Sequence, residues 1–483
     1  MINRYRGNPA LLAAFAIITL TVIVFGRALG FGLFGDADLV LKPWISSPSP
    51  MIAFTDVAHG LWMPVTYLSW MLDAWVFGTQ KLTAVDAYST INIIAVPPAW
   101  HHVMDLVWHA GAGGLLYVLL QRLSVARMPA LLATLIWLVH PLQLDTVAQV
   151  AERKNTVCML FMLASCIAWV DKRVILAFVF SFLAIASKPT ACVLPILFIL
   201  LEAMAAEFDI RKIKREAVIS TIPFFTLSFV LGFVALITQT QATMRTPPDL
   251  MVSLSNIAML TFHVLVPIDL APTYAEYTPA KLAWLPLAGV AVVVVLLTSA
   301  YKLRNRNPLA AVGLIWFLVT MAPALNLSMT VGISEHYDHY MYAPLVGIAM
   351  VLASLTSSRV LLAIIIACAG LSIAQIGRWD MMHVDSMIDA NRSTAHGQLA
   401  LCEMRKTFTQ DHAETLQCAQ DVMRSTRFWW QQADAAKLAM LEGAFLKDIA
   451  AAQEASIKYQ EIVMHSTAWN NSRWWMRAFS ATR

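Results

Sequence analysis

The strongest constraint on this chain is its succession of long apolar runs, with charged residues confined to the segments between them. Residues 10–29, 103–120, 130–146, 155–170, 174–187, 190–205, 217–238, 283–300, 309–325, 341–356 and 360–376 read as membrane spans. A spanning helix needs about 17–25 mostly apolar residues. The fifth and sixth runs are shorter and are separated only by Ser187-Lys188-Pro189. Over all 483 residues, 59% are hydrophobic and 13% charged. A soluble domain carries about 25% charged residues, so there is too little charge here to cover a water-facing surface. That excludes a cytosolic enzyme, a nucleic-acid binder and a disordered chain. An all-α polytopic membrane protein of about eleven transmembrane helices is expected. The first run is long and lacks a small-residue cleavage sequence, so it reads as a retained span.

Basic residues favour the cytoplasmic side of a membrane. Arg4 and Arg6 precede the first span, Arg122 and Arg127 separate the second and third, and Lys172 and Arg173 the fourth and fifth. Arg211, Lys212, Lys214 and Arg215 precede the seventh. Lys302, Arg304 and Arg306 follow the eighth, and Arg359 lies between the last two. One topology satisfies this alternation, with the N-terminus cytoplasmic and the C-terminus outside. The apolar residues 252–268 then cannot span and are expected to be re-entrant or interfacial on the outer side. The outer segments are 30–102, 326–340 and the tail. The run LWMPVTYLSWMLDAWVFG at 61–78 is rich in interface-seeking tryptophan and tyrosine and is expected to lie flat on the outer surface. Residues 1–377 form the membrane domain and 378–483 a small helical outer domain of three or four helices, without a clear 34-residue repeat.

Charged groups close to membrane depth mark functional sites, and here they gather on the outer side. Asp36 and Asp38 follow the first span, and HPLQLDTVAQVAERK, containing His140, Glu152, Arg153 and Lys154, joins the third and fourth. Lys188 interrupts two spans, Asp269 follows the re-entrant segment, and Glu335, His336, Asp338, His339, Tyr340 and Tyr342 cluster before the tenth. Arg153, Lys154 and Lys188 oppose the charge bias, which calls for an anion nearby. Plainer roles compete: Asp36 suits a solvated loop carboxylate, Asp38 a turn or cap, His140 before Pro141 a helix end, Glu152-Arg153-Lys154 a polar helix start, Lys188 a cation snorkelling to the surface, and the two tyrosines interface anchors. Gly111 to Gly114 lie within a span and suit helix packing rather than a phosphate loop. Cys158, Cys166, Cys192 and Cys368 sit in apolar runs and read as core. Cys402 and Cys418 lie at equal distances from a turn near Gln410, on helices read at 395–408 and 411–424, which would bring two thiols level for a disulfide.

At these residues the chain resembles the bacterial relatives of the transmembrane-and-TPR O-mannosyltransferases. WMPVTYLSWMLDAWVFG resembles their RPLTxLSxxLDxxxFG segment, VHPLQLDTVAQVAERKN their HPxHxExVAWVAERKD, and SKPTACVLPILFILLE their SKExAxxLPLxLLLxD. VPIDLAPTY, LIWFLVTMAPALNL and DHYMYAPLVGIAM follow in the family's order, over residues 30–385. Such proteins are similar to the GT-C glycosyltransferases, which move one sugar from a polyprenyl-phosphate carrier to an acceptor outside the cytoplasm. Some relatives modify type IV pilins, including with arabinofuranose. The resemblance implies that Asp36 is the catalytic carboxylate and that Arg153, Lys154, Lys188 and His339 serve the donor phosphate. The chain departs from the pattern in having Gly35-Asp36 for paired acids, His339 for an arginine, and a TPR array that is absent or reduced to the short tail.

The implied reaction needs a carboxylate base for the acceptor hydroxyl and cations for the departing phosphate. No cofactor is required. The His and Asp clusters leave room for a divalent metal without compelling one. Expected partners are a polyprenyl-phosphate-linked sugar, an acceptor protein such as a pilin or a glycan, and membrane lipid, with no nucleic acid. The expected location is the bacterial inner membrane, with the site facing the periplasm. Two other classes compete: an O-antigen ligase or polymerase, which would need no acid after the first span, and a multi-span transporter, which would show internal repeats.

Overall fold

In the computed structural model, every apolar run above forms helix. The structure describes residues 8–33, 36, 39–57, 60–85, 90–239, 245–246, 249–272, 274, 277, 279–325, 330–331, 336–380, 398, 402, 411–425 and 429–471. We number the principal helices α1 (Pro9–Phe25), α2 (Pro64–Phe77), α3 (Pro98–Arg122), α4 (Arg127–Val139), α5 (Arg153–Val170) and α6 (Val174–Ser187). They continue as α7 (Leu194–Ala205), α8 (Ile222–Gln239), α9 (Leu250–Leu265), α10 (Leu285–Leu303), α11 (Pro308–Met321), α12 (Pro344–Leu355) and α13 (Ser358–Gln375). The tail adds α14 (His412–Ser425), α15 (Trp429–Phe445) and α16 (Ile449–Asn471).

Among the described residues, five helical stretches are long and apolar enough to cross a membrane: Pro9–Gly30, Pro98–Arg122, Arg215–Thr238, Ala280–Leu303 and Ser358–Trp379. A sixth arises if α4 and the helical residues to Val147, bent by 54° at His140, count as one span. The remaining apolar helices are shorter. This is the architecture of a multi-pass membrane protein. Leu11, Leu12, Phe15, Ile18 and Val22 of α1 and Leu287, Val290, Val294 and Val295 of α10 are exposed, as lipid-facing surfaces require.

Local chemistry sets the helix ends. Asn8 caps α1 through Ala10 N (3.0 Å), and Asp249 caps α9 through Met251 N and Val252 N (2.8 and 3.1 Å). Proline opens α1, α3, α11 and α12, where its missing N–H costs nothing. Small residues let helices meet closely. A Cβ on Gly289 would sit 1.9 Å from Leu254 O, and Gly313 and Gly347 seat α11 on α12. Gly111 and Gly113 pack on Leu160 and Leu138.

The aromatic run forms α2, which buries Tyr67, Trp70 and Met71 beside Leu39, Ile45 and Val150 and leaves Leu72, Trp75 and Val76 exposed. Thr66 Oγ1 donates to Ser187 O (2.9 Å), tying α2 to the break before Lys188. The helical expectation holds in its coarse form, and two short antiparallel pairs accompany the helices. Gln80–Val85 (β1) and Thr90–Ala95 (β2) pair antiparallel, Gln80 opposite Ala95, and Arg245–Thr246 (β3) pairs with Thr330–Val331 (β4). β-Branched residues in TINIIA carry the strand preference that the apolar-run reading passed over.

In the tail, α14, α15 and α16 pack in succession on Leu416, Val422, Ala435, Ala439 and Ala455. Cys402 and Cys418 are joined in a disulfide with Cα atoms 5.7 Å apart. Cys158, Cys166 and Cys368 are buried free thiols, and Cys192 is half-buried.

Candidate active site

Two buried charge clusters adjoin at the start of α5. The first is closed. The Arg153 guanidinium is fully enclosed; its Nε donates to Asp105 Oδ1 (2.5 Å), its Nη1 to Asp73 Oδ2, and its Nη2 to His101 O (2.6 Å). His101 Nδ1 lies 2.5 Å from the same Asp73 oxygen. One arginine therefore joins α2, α3 and α5. Its planar fork suits two carboxylates at once. The phosphate-binding role read for Arg153 is not what this geometry favours, because Asp73 and Asp105 already neutralise it.

The second cluster opens outward. Glu152 ends the 3-10 turn before α5 and is buried. Its Oε1 lies 2.6 Å from Lys154 Nζ, and its Oε2 lies 3.8 Å from Lys188 Nζ and 3.6 Å from His339 Nε2. Asn155 bridges, donating to Glu152 Oε2 and accepting from Lys188 Nζ, both at 2.6 Å. Lys188 also stands 5.7 Å above the Tyr340 ring. Asp36 lies at the mouth with its side chain 44% exposed, 3.9 Å from Lys154 Nζ, while Lys154, Lys188 and His339 side chains are 8%, 13% and 9% exposed beneath it.

His339 is oriented from behind. Buried Asp145 Oδ2 accepts from its Nδ1 (2.7 Å) and from its backbone N (3.1 Å), and Asp145 Oδ1 accepts from Trp379 Nε1 (3.0 Å). That leaves Nε2 facing the Glu152 cluster. Burial alone would raise the Glu152 carboxyl, but His339, Lys154 and Lys188 outweigh it and hold the group below the usual carboxylate range. Burial pushes the Lys188 ammonium down to about 8, with Glu152 opposing.

The other candidates have separate surroundings. Asp338 accepts from His263 Nδ1 (3.0 Å) and Tyr274 OH (2.5 Å), and burial raises its carboxyl despite His263. His336 stacks on Tyr274 with ring centroids 4.4 Å apart. His140 ends α4: Leu142 N donates to its Nδ1 and its Nε2 donates to Val264 O, both at 3.2 Å. Tyr342 is core; its hydroxyl meets His109 Nδ1 at 2.7 Å. Asp269 is 85% exposed and pairs with Arg378 (3.0 Å), apart from the cluster. Asp38 and Glu335 lie outside the described residues. Asp145 and Asn155 were missed by the sequence reading, although both lie in or beside the HPLQLDTVAQVAERK segment; a lone carboxylate among apolar residues was the available signal.

Among the described residues, no group of three His, Cys, Asp or Glu side chains is arranged to hold a metal ion. The chain matches no model of a known protein family and has no significant similarity to any curated protein.

Proposed function

We propose that the protein is a GT-C-like glycosyltransferase of the bacterial inner membrane. It would move a single sugar from a polyprenyl-phosphate donor to a hydroxyl of an extracytoplasmic acceptor, a Ser or Thr of a pilin-like protein being the leading choice and arabinofuranose a candidate sugar. The reading rests on the ordered motif resemblance described above. The observation that carries it is the convergence of Asp36, Lys154, Lys188 and His339, from four separate segments, on one partly open cluster.

In this mechanism the acceptor hydroxyl loses its proton to Asp36 as its oxygen bonds the anomeric carbon. The bond from that carbon to the phosphate oxygen breaks, and the phosphate keeps the electron pair. Lys154, Lys188 and His339 take up the new charge in a site of low dielectric. Glu152 holds the cations in place before the donor arrives. Arg153 acts as a positioning residue, fixing the chain between Glu152 and Lys154.

The proposed topology has eleven spans, a cytoplasmic N-terminus and a periplasmic tail, with α9 as the extra outer helix. The Cys402–Cys418 disulfide supports it, because such bonds persist outside the cytoplasm. The test is mass spectrometry of envelope proteins from cells with and without the gene, and with Asp36→Asn. Loss of one pentose or hexose from a protein in both mutants is expected. An unchanged set of protein masses, with a glycan polymer altered instead, would overturn the reading in favour of a ligase or polymerase.

A further inference from the structure

A cavity of about 730 Å³ lies at the opposite ends of the helices that carry the candidate site. α5 begins with Arg153 and Lys154 and ends at Trp169 and Val170, which line this cavity. That separates the two by about 25 Å, at 1.5 Å per residue. The cavity belongs to neither charge cluster and has no part in the proposed transfer.

Its lining is amphiphilic. Arg122, Lys172 and Arg306 stand at the rim, with Glu202 the one carboxylate among the lining residues. Arg122 pairs with Asp171 (2.7 Å) and Lys172 with Glu202 (2.5 Å). Arg306 has no carboxylate partner among the described residues, so positive charge is left over. The walls are apolar, including Val125, Leu201, Met204 and Leu309. Trp169, also in the lining, adds an aromatic surface and is held by stacking on Phe198 with ring centroids 4.6 Å apart. Basic residues at helix C-termini neutralise the helix dipole, which accounts for Arg122 and Lys172. The same holds for Arg306, three residues past the end of α10, but it does not account for the apolar walls beneath the three cations.

We propose that this cavity binds one anionic glycerophospholipid. The phosphate sits among Arg306, Lys172 and Arg122, and an acyl chain runs along the apolar wall. Basic pockets between transmembrane helices favour such headgroups. A free phosphate would satisfy the rim but leave the apolar walls unserved.

The test uses full-length protein, delipidated in detergent, with dioleoyl phosphatidylglycerol, dioleoyl phosphatidylcholine and inorganic phosphate as separate probes. Native mass spectrometry counts bound lipid and thermal unfolding reads stabilisation. One phosphatidylglycerol should be retained in preference to phosphatidylcholine. The double variant Lys172→Glu, Arg306→Glu should weaken that binding by roughly tenfold or more. Leu309→Trp fills the wall without touching charge and should also expel the lipid, which covers a failure of the charge variant to fold. Equal retention of both lipids, or unchanged phosphatidylglycerol binding in either folded variant, overturns the proposal. So does stabilisation by inorganic phosphate equal to that by the lipid.

Discussion

Replacing Arg153 with methionine should be among the most damaging single changes in this protein. The guanidinium, Asp73 and Asp105 are all fully buried, and the arginine bonds both carboxylates and the His101 carbonyl. Methionine roughly preserves the volume but leaves two carboxylates without their cation. Breaking a buried ion pair by removing one partner costs about 3–5 kcal/mol. Here two carboxylates depend on one cation, so the upper half of that range is expected. Lysine at 153 should recover only part of the loss, because one ammonium cannot reproduce the fork that reaches both acids. The native thiols give the assay: Cys158, Cys166 and Cys368 are buried and react with a thiol-specific fluorophore only on unfolding. Arg153→Met should unfold several degrees below the native protein, and Arg153→Met with Asp105→Asn should regain part of the difference. An unfolding midpoint for Arg153→Met equal to native would refute the reasoning and return Arg153 to the list of phosphate ligands.

Four further outcomes follow from the same geometry. Asp36→Asn should lower transfer by about 10²–10⁴-fold, the usual loss of a general base, with the thermal midpoint unchanged; near-native activity would shift attention to Asp38. Lys154→Ala should raise the donor requirement more than the acceptor requirement, read from KM for each substrate. With Lys188 titrating near 8, its charge is present at pH 7 and lost as pH rises through 8. Donor KM should therefore climb between pH 7 and 9, and Lys188→Arg should flatten that rise. In the tail, non-reducing mass mapping should find Cys402 bonded to Cys418. Cys418→Ser should destabilise the tail by about 3 kcal/mol on loop closure over their separation of 16 residues, seen as earlier proteolysis of that region.

The apolar runs by themselves determined that this chain is a helical membrane protein, because a spanning helix must satisfy its backbone internally and present apolar side chains throughout. Charge out of place was equally legible: Lys154 and Lys188 stood out against the positive-inside bias, and the fold brings both to Glu152. The Cys402–Cys418 pairing was legible too, as two cysteines 16 residues apart in the polar tail, although the helix read at 395–408 and the turn near Gln410 lie almost wholly outside the described residues. Partner choice was not. Arg153 and Lys154 are neighbours on the same first turn, so their side chains leave the helix about 100° apart. One meets Asp73 and Asp105 inside the protein, while the other meets Glu152 and Asp36 toward the opening. Asp145, distant in sequence from His339, became an orienting group only when the DHY segment folded over it. His140 and Tyr342 share the chemistry of site residues, yet backbone groups and the His109 ring take their polar atoms. Side-chain direction and long-range approach decide such cases, and both belong to the tertiary structure.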